Sequence, residues 1–172
     1  ADEAAQESDR IGASFFTHYL LSGLRGAADT SADGRVTLNE AYQFAFNETL
    51  ARTAQTSAGA QHPEYDIQLS GSGDLVMTDL RVATGGLLLG PDVEGRLFVR
   101  DGFGRLAAEV RKTAGRPMEL GLEPGDYVVT LVKDDEPWGL RAVIGDGKRT
   151  TLAKGQFVKL PREYALARGD VA

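Results

Sequence analysis

The hydrophobic pattern of this chain changes period once. From Ser14 to Arg25 the apolar residues Phe16, Tyr19, Leu20 and Leu24 recur at three and four, the spacing of one helix face. Ser14 precedes them as an N-cap and Gly26 follows as a stop. A second stripe, Leu38, Ala41, Tyr42, Ala45, Phe46 and Leu50, predicts another helix. It fades into Thr, Ser, Gly and Ala after Ala51, and Pro63 biases His62 away from helical backbone, so this helix ends well before that point.

Beyond Tyr65 short apolar runs alternate with turn residues. Ile67 to Leu69 and Asp74 to Leu80 are strand candidates, separated by Ser70-Gly71-Ser72-Gly73. Further candidates are Leu87 to Leu89, Arg96 to Arg100, Leu106 to Lys112, Met118 to Leu122, Tyr127 to Lys133, Gly139 to Ile144, and Lys148 to Leu160 with a break. Connectors such as Asp101-Gly102-Phe103-Gly104, Glu123-Pro124-Gly125-Asp126 and Gly145-Asp146-Gly147 carry turn chemistry. About seven strands in roughly ninety residues suit a small antiparallel β-sandwich. The expectation is an α+β chain: residues 1–80 with two helices and short strands, residues 81–172 as the sandwich, and a boundary near Leu80 to Thr84.

Between the two helices runs Asp29-Thr30-Ser31-Ala32-Asp33-Gly34-Arg35-Val36-Thr37-Leu38-Asn39-Glu40. It has the spacing of an EF-hand calcium loop, with Ser31 where Asp or Asn is usual. On that reading Asp29, Ser31 and Asp33 ligate through side chains, Arg35 through its carbonyl, Thr37 directly or through water, and Glu40 through both carboxylate oxygens. The same residues carry a second reading. Thr37-Leu38-Asn39-Glu40 is a capping box, with Thr37 at the N-cap and Glu40 reaching back to it. Both start a helix at the same place, and both call on Glu40.

Charge adds an asymmetry. The net charge is −6, and residues 1–66 hold ten acids against four bases, so this first part alone carries the excess. That balance disfavours nucleic acid and suits cations or basic ligands. The absence of cysteine removes disulfides and a cysteine nucleophile from these residues. No apolar run approaches the roughly eighteen residues of a bilayer span, and the first residues do not read as a signal peptide. The compartment stays open, although millimolar calcium outside the cytoplasm suits such a loop.

Ala1 to Ser8, the Ser14-Phe15-Phe16-Thr17 helix start, Asp33-Gly34-Arg35-Val36-Thr37-Leu38, Gln61-His62-Pro63 and the strand Gly73 to Thr78 occur in an order that resembles a known family. It is the second half of the caspase-like domain in bacterial caspase-family cysteine peptidases, and the likeness covers about 80 residues. The family's catalytic histidine and cysteine lie upstream of this stretch, and neither His18 nor His62 corresponds to that histidine. The resemblance implies a fragment or processed subunit whose partner is an upstream catalytic half and whose substrate is a peptide or protein. It also implies helix faces that lack the sheet they normally cover. In related metacaspases a loop at the place of Asp2 to Ser8 bears carboxylates that hold a basic side chain beside the scissile bond. Asp2, with Glu3 or Glu7 as the alternative, would take that role by ion pairing; the plainer reading is a solvated acidic loop.

Gly95 to Asp101 and Leu122 to Val129 resemble the small transthyretin-like sandwiches appended to many bacterial proteins, which bind, space or brace. His18 reads as a surface or packing residue and His62 as part of a turn. Trp138, beside Asp134, Asp135 and Glu136, reads as a core or edge residue of the sandwich with a ligand face as the sharper alternative.

Overall fold

The computed structural model of the chain describes residues 7–8, 13–54, 56, 59–63 and 73–162. Two short strands, Glu7–Ser8 (β1) and Ala13–Ser14 (β2), pair antiparallel and lead into helix Phe15–Ser22 (α1). The Ser14 hydroxyl accepts the Thr17 N–H at 3.2 Å, satisfying one of the donors a helix start leaves open. A wide turn, Gly23–Ala27, follows and breaks at Gly26, whose φ is 122°. A side chain there would also overlap the Glu119 carbonyl oxygen, so the stop is set by backbone conformation and close approach together.

Strand Arg35–Thr37 (β3) then runs into helix Leu38–Thr53 (α2) through a full capping box of Thr37 and Glu40. Among the described residues, Val76–Asp79 (β4) pairs with β3 alone. The buried faces overlap the predicted apolar stripes at Tyr19, Ala41 and Ala45 but are rotated from them. α1 buries Phe15, His18, Tyr19 and Ser22, while Phe16, Leu20 and Leu24 are half-buried. α2 buries Ala41, Ala45, Thr49 and Thr53, small residues that let another element approach closely, and leaves Tyr42, Phe46 and Leu50 half-buried at the flank. The reason for the rotation of α1 is polar: Tyr19 and Ser22 are claimed by hydrogen bonds to a strand far along the chain.

The remaining strands are Gly85–Leu89 (β5), Gly95–Asp101 (β6), Leu106–Lys112 (β7), Met118–Gly121 (β8), Gly125–Lys133 (β9), Glu136–Ile144 (β10), Lys148–Leu152 (β11) and Val158–Lys159 (β12). They form a five-stranded sheet in the order β12-β10-β9-β6-β7 and a three-stranded sheet in the order β11-β5-β8. Pairing is antiparallel throughout the larger sheet, as the sequence suggests, but β5 and β11 run parallel. The Gly145-Asp146-Gly147 turn carries the chain from β10 across to the other sheet, so it cannot close a hairpin.

Alternate residues of both sheets point into one apolar cluster. Leu87, Leu89 and Leu120 come from the smaller sheet and Leu97, Val99, Val110, Val129 and Leu131 from the larger, all nearly solvent-free. Each such side chain contributes about 1.5–3 kcal/mol by leaving water. Ala27 joins this cluster and Phe44 of α2 packs against it. α1 lies along β7 and the wide turn lies along β8, the edge strands of the two sheets. The later strands therefore supply part of the cover that the resemblance leaves missing. Uncovered apolar surface lies instead around β4, where Leu75, Val76 and Met77 are each nearly half exposed and Val82 more so.

Candidate functional site

The loop between the helices is organised by three carboxylates, Asp29, Asp33 and Glu40. Asp29 Oδ1 accepts the Ser31 hydroxyl and the Asp33 N–H, each at 3.2 Å, and its Oδ2 accepts the Gly34 N–H at 3.0 Å. Asp33 Oδ1 accepts the Arg35 N–H at 2.8 Å. Glu40 Oε1 takes the Thr30 hydroxyl at 3.0 Å and the Ser31 N–H at 3.2 Å, and Oε2 takes the Thr37 N–H at 3.0 Å and its hydroxyl at 3.1 Å. The loop's last side chain thus reaches back to its second, third and ninth residues. Burial alone would raise the Glu40 carboxyl, but these donors outweigh it and hold the group below its ordinary value.

Besides the β3–β4 ladder and the Leu80 N–H that donates to the Gly34 carbonyl at 2.8 Å, two arginines dock the loop on the rest of the molecule. Arg116 Nη2 donates to the Thr30 carbonyl at 3.0 Å, from the segment between β7 and β8. The Arg35 guanidinium lies 3.5 Å from Asp79 across the β3–β4 ribbon. Arg81 also pairs with Asp79, and its hydrogen bond is the main reason that carboxyl lies well below the usual range. Gly34 holds a φ of 78°, the left-handed backbone its turn needs.

The loop residues fit calcium in kind, since Asp29, Ser31, Asp33, Thr37 and Glu40 offer hard oxygen donors at the right spacing. They do not stand as a gathered ligand set. Among the described residues no three His, Asp or Glu side chains sit close enough together to hold a metal ion, and the loop carboxylates are turned toward N–H and O–H groups. Asp2 and Glu3 lie outside the described residues. For Glu7 only the backbone is described, paired with Ser14 beside the start of α1.

A second constellation has no signal in the linear sequence. Glu109 on β7 is turned away from the core that its neighbours Ala108 and Val110 enter, and it is buried under α1. The Tyr19 hydroxyl donates to Glu109 Oε1 at 3.4 Å, Arg96 Nε donates to the same oxygen at 2.6 Å, and His18 Nε2 lies 3.3 Å from Oε2. The Glu109 N–H donates to Ser22 Oγ at 3.1 Å. Burial raises the Glu109 carboxyl, yet His18 and Arg96 together bring it below its ordinary value. Tyr19 is pushed far up, first by burial and then by the Glu109 charge. Glu48 on α2 is raised by burial, against the pull of Arg111 and Arg96.

A catalytic set would need access. His18 and Glu109 have only about 6% of their side-chain surface exposed. The nearest recess, lined by Glu48, Ala51, Arg52, Arg96 and Arg111, holds about 70 Å³. The cluster is therefore an interlock between α1 and the sheet, built from groups that strand alternation alone could not bring together. Compared with protein-family models, curated proteins and solved structures, the chain finds no match.

Proposed function

We propose that this chain supplies the non-catalytic half of a caspase-like cysteine endopeptidase, with a transthyretin-like β-sandwich packed behind it. The observation that carries the proposal is the β3–β4 ribbon. Leu75-Val76-Met77 is a continuous apolar run, the pattern of a strand covered on both faces, yet all three residues stand open to solvent. A strand of that composition is completed by further strands and helices. In this reading the upstream catalytic half provides them, together with the cysteine this chain lacks. The loop Asp29 to Glu40 braces the junction of the two helices, and calcium bound there would take oxygens from Asp29, Ser31, Asp33, Thr37 and Glu40 and the Arg35 carbonyl. Asp2, with Glu3 or Glu7, would favour a basic residue before the scissile bond by charge-assisted hydrogen bonding.

The coding sequence preceding Ala1 tests this directly. A histidine followed by glycine, and later an Asp-x-Cys, are expected in frame, and their absence overturns the proposal. With that portion present, arginyl and lysyl peptides are expected to be cleaved ahead of aspartyl ones. The opposite preference would remove the role given to Asp2.

A second reading, a calcium-stabilised binding or structural module without peptidase activity, is favoured by the interlock at Glu109. A first helix already clamped to β7 by Tyr19 and Ser22 does not depend on another chain for that contact. A monomeric chain with no tendency to associate through β4 would favour it.

A further inference from the structure

At one end of the two sheets lies a cleft of about 730 Å³ that the proposal above does not use. Its floor is apolar: Leu131 and Phe157 are almost wholly buried, and Trp138 packs on the same core while lining the opening. The rim is charged, with the carboxylates of Asp92, Glu94, Asp134 and Glu136 facing the ammonium groups of Lys133 and Lys154. Volume and lining match a site for a small organic molecule.

The rim charges are unequally engaged. Lys133 is held by Glu94, and Lys159 is held by Glu136 at 2.6 Å while its ammonium sits 5.8 Å from the centre of the Trp138 ring. Asp92 accepts a neutral backbone N–H from Lys154 at 2.9 Å. Asp134, on the β9–β10 turn, makes no hydrogen bond or ion pair among the described residues. The cleft thus combines an aromatic face that already accommodates a cation with two carboxylates, Asp92 and Asp134, that form no ion pair among the described residues.

We propose that this cleft binds small amphipathic cations: an aromatic or branched apolar body against Trp138 and Phe157, with an ammonium or guanidinium directed to Asp134. The site lies entirely between Asp92 and Phe157, so it stands or falls independently of the peptidase reading.

Trp138 is the only tryptophan in the chain, so its fluorescence reports on the cleft alone. Phenethylamine titrated into the protein is expected to change that emission saturably, with a Kd in the roughly millimolar range. 3-Phenylpropionate, of similar shape and opposite charge, is expected not to. Asp134→Asn is a safe variant because φ at this position is 52°, which asparagine tolerates well. It is expected to weaken phenethylamine binding by about two- to fivefold, the scale of one solvent-accessible ion pair. No saturable change, equal binding of the carboxylate, or unchanged affinity in Asp134→Asn would each overturn the proposal.

Discussion

Arg96 Nη2 donates to the Tyr19 hydroxyl at 3.0 Å, joining the first helix to a strand 77 residues further on. The same guanidinium holds Glu109, which also receives the Tyr19 hydroxyl, so three side chains from α1, β6 and β7 share one set of hydrogen bonds. Such an arrangement is expensive to break from one side, because it leaves a charge in a poorly solvated place.

Glu109→Ala is accordingly expected to lower unfolding stability by about 3 kcal/mol in urea titrations. The double variant Arg96→Met with Glu109→Leu removes both charges and is expected to recover most of the loss. A cost below about 1 kcal/mol for the single variant would show that the interlock carries little.

The two claims on Glu40 separate by substitution. Thr37→Ala removes only the cap and is expected to cost about 1 kcal/mol with or without calcium. Glu40→Gln keeps much of the capping geometry and loses the bidentate carboxylate. Wild type is expected to melt at a higher temperature in millimolar calcium and Glu40→Gln to lose that rise. No rise in wild type, or an equal rise in the variant, would remove the metal and leave the cap.

Acid should weaken the fold through the same residue. Hydrogen bonds hold the folded Glu40 carboxyl below its ordinary value, so the unfolded chain takes up the proton first as pH falls. The contribution is complete above about pH 4.3 and disappears as pH drops through the folded value. Glu109, also lowered, acts in the same direction, whereas Glu48, raised by burial, acts in the opposite one. Urea titrations between neutral pH and pH 3 are expected to show stability falling in the acid range, and a shallower fall in Glu40→Gln.

Gly26→Ala tests close approach against backbone strain. At Gly26 a β-carbon meets the Glu119 carbonyl and lies 2.9 Å from Leu80 Cδ1, whereas at Gly115, with φ of 94°, it meets nothing within 4 Å. Both substitutions carry left-handed strain of order 1–3 kcal/mol. Only Gly26→Ala adds a collision, so its thermal midpoint is expected to fall clearly further than that of Gly115→Ala.

The exposed run on β4 should make the isolated chain associate. Val76→Lys with Met77→Glu is expected to reduce concentration-dependent self-association in sedimentation experiments, without lowering stability by more than about 0.5 kcal/mol. Unchanged association would place the contact elsewhere.

Local chemistry made much of this fold legible. Leu106–Lys112 forms the strand its alternation announces, because pleat periodicity and flanking turn residues act over a few positions. Ser14 and Thr37 cap their helices as expected, since each bond closes within three residues. The loop around Glu40 was visible for the same reason, although spacing alone could not choose between cap and cation. Trp138 and its acidic neighbours could be noticed, but not the cleft they help to line.

By itself, then, the sequence determined where both helices start, most strands between Val76 and Lys159, and which residues could ligate a cation. It did not announce the short strands β1, β2 and β3, and its candidate Ile67 to Leu69 lies outside the described residues. Tertiary structure alone decided which face of α1 is buried, that β5 and β11 run parallel, that Glu109 meets Tyr19 and Arg96, and that β4 is left open. The physical reason is range. Caps, turns and periodicity are settled by neighbours a few residues away, whereas a buried charge or an uncovered edge depends on partners that only the folded chain brings together.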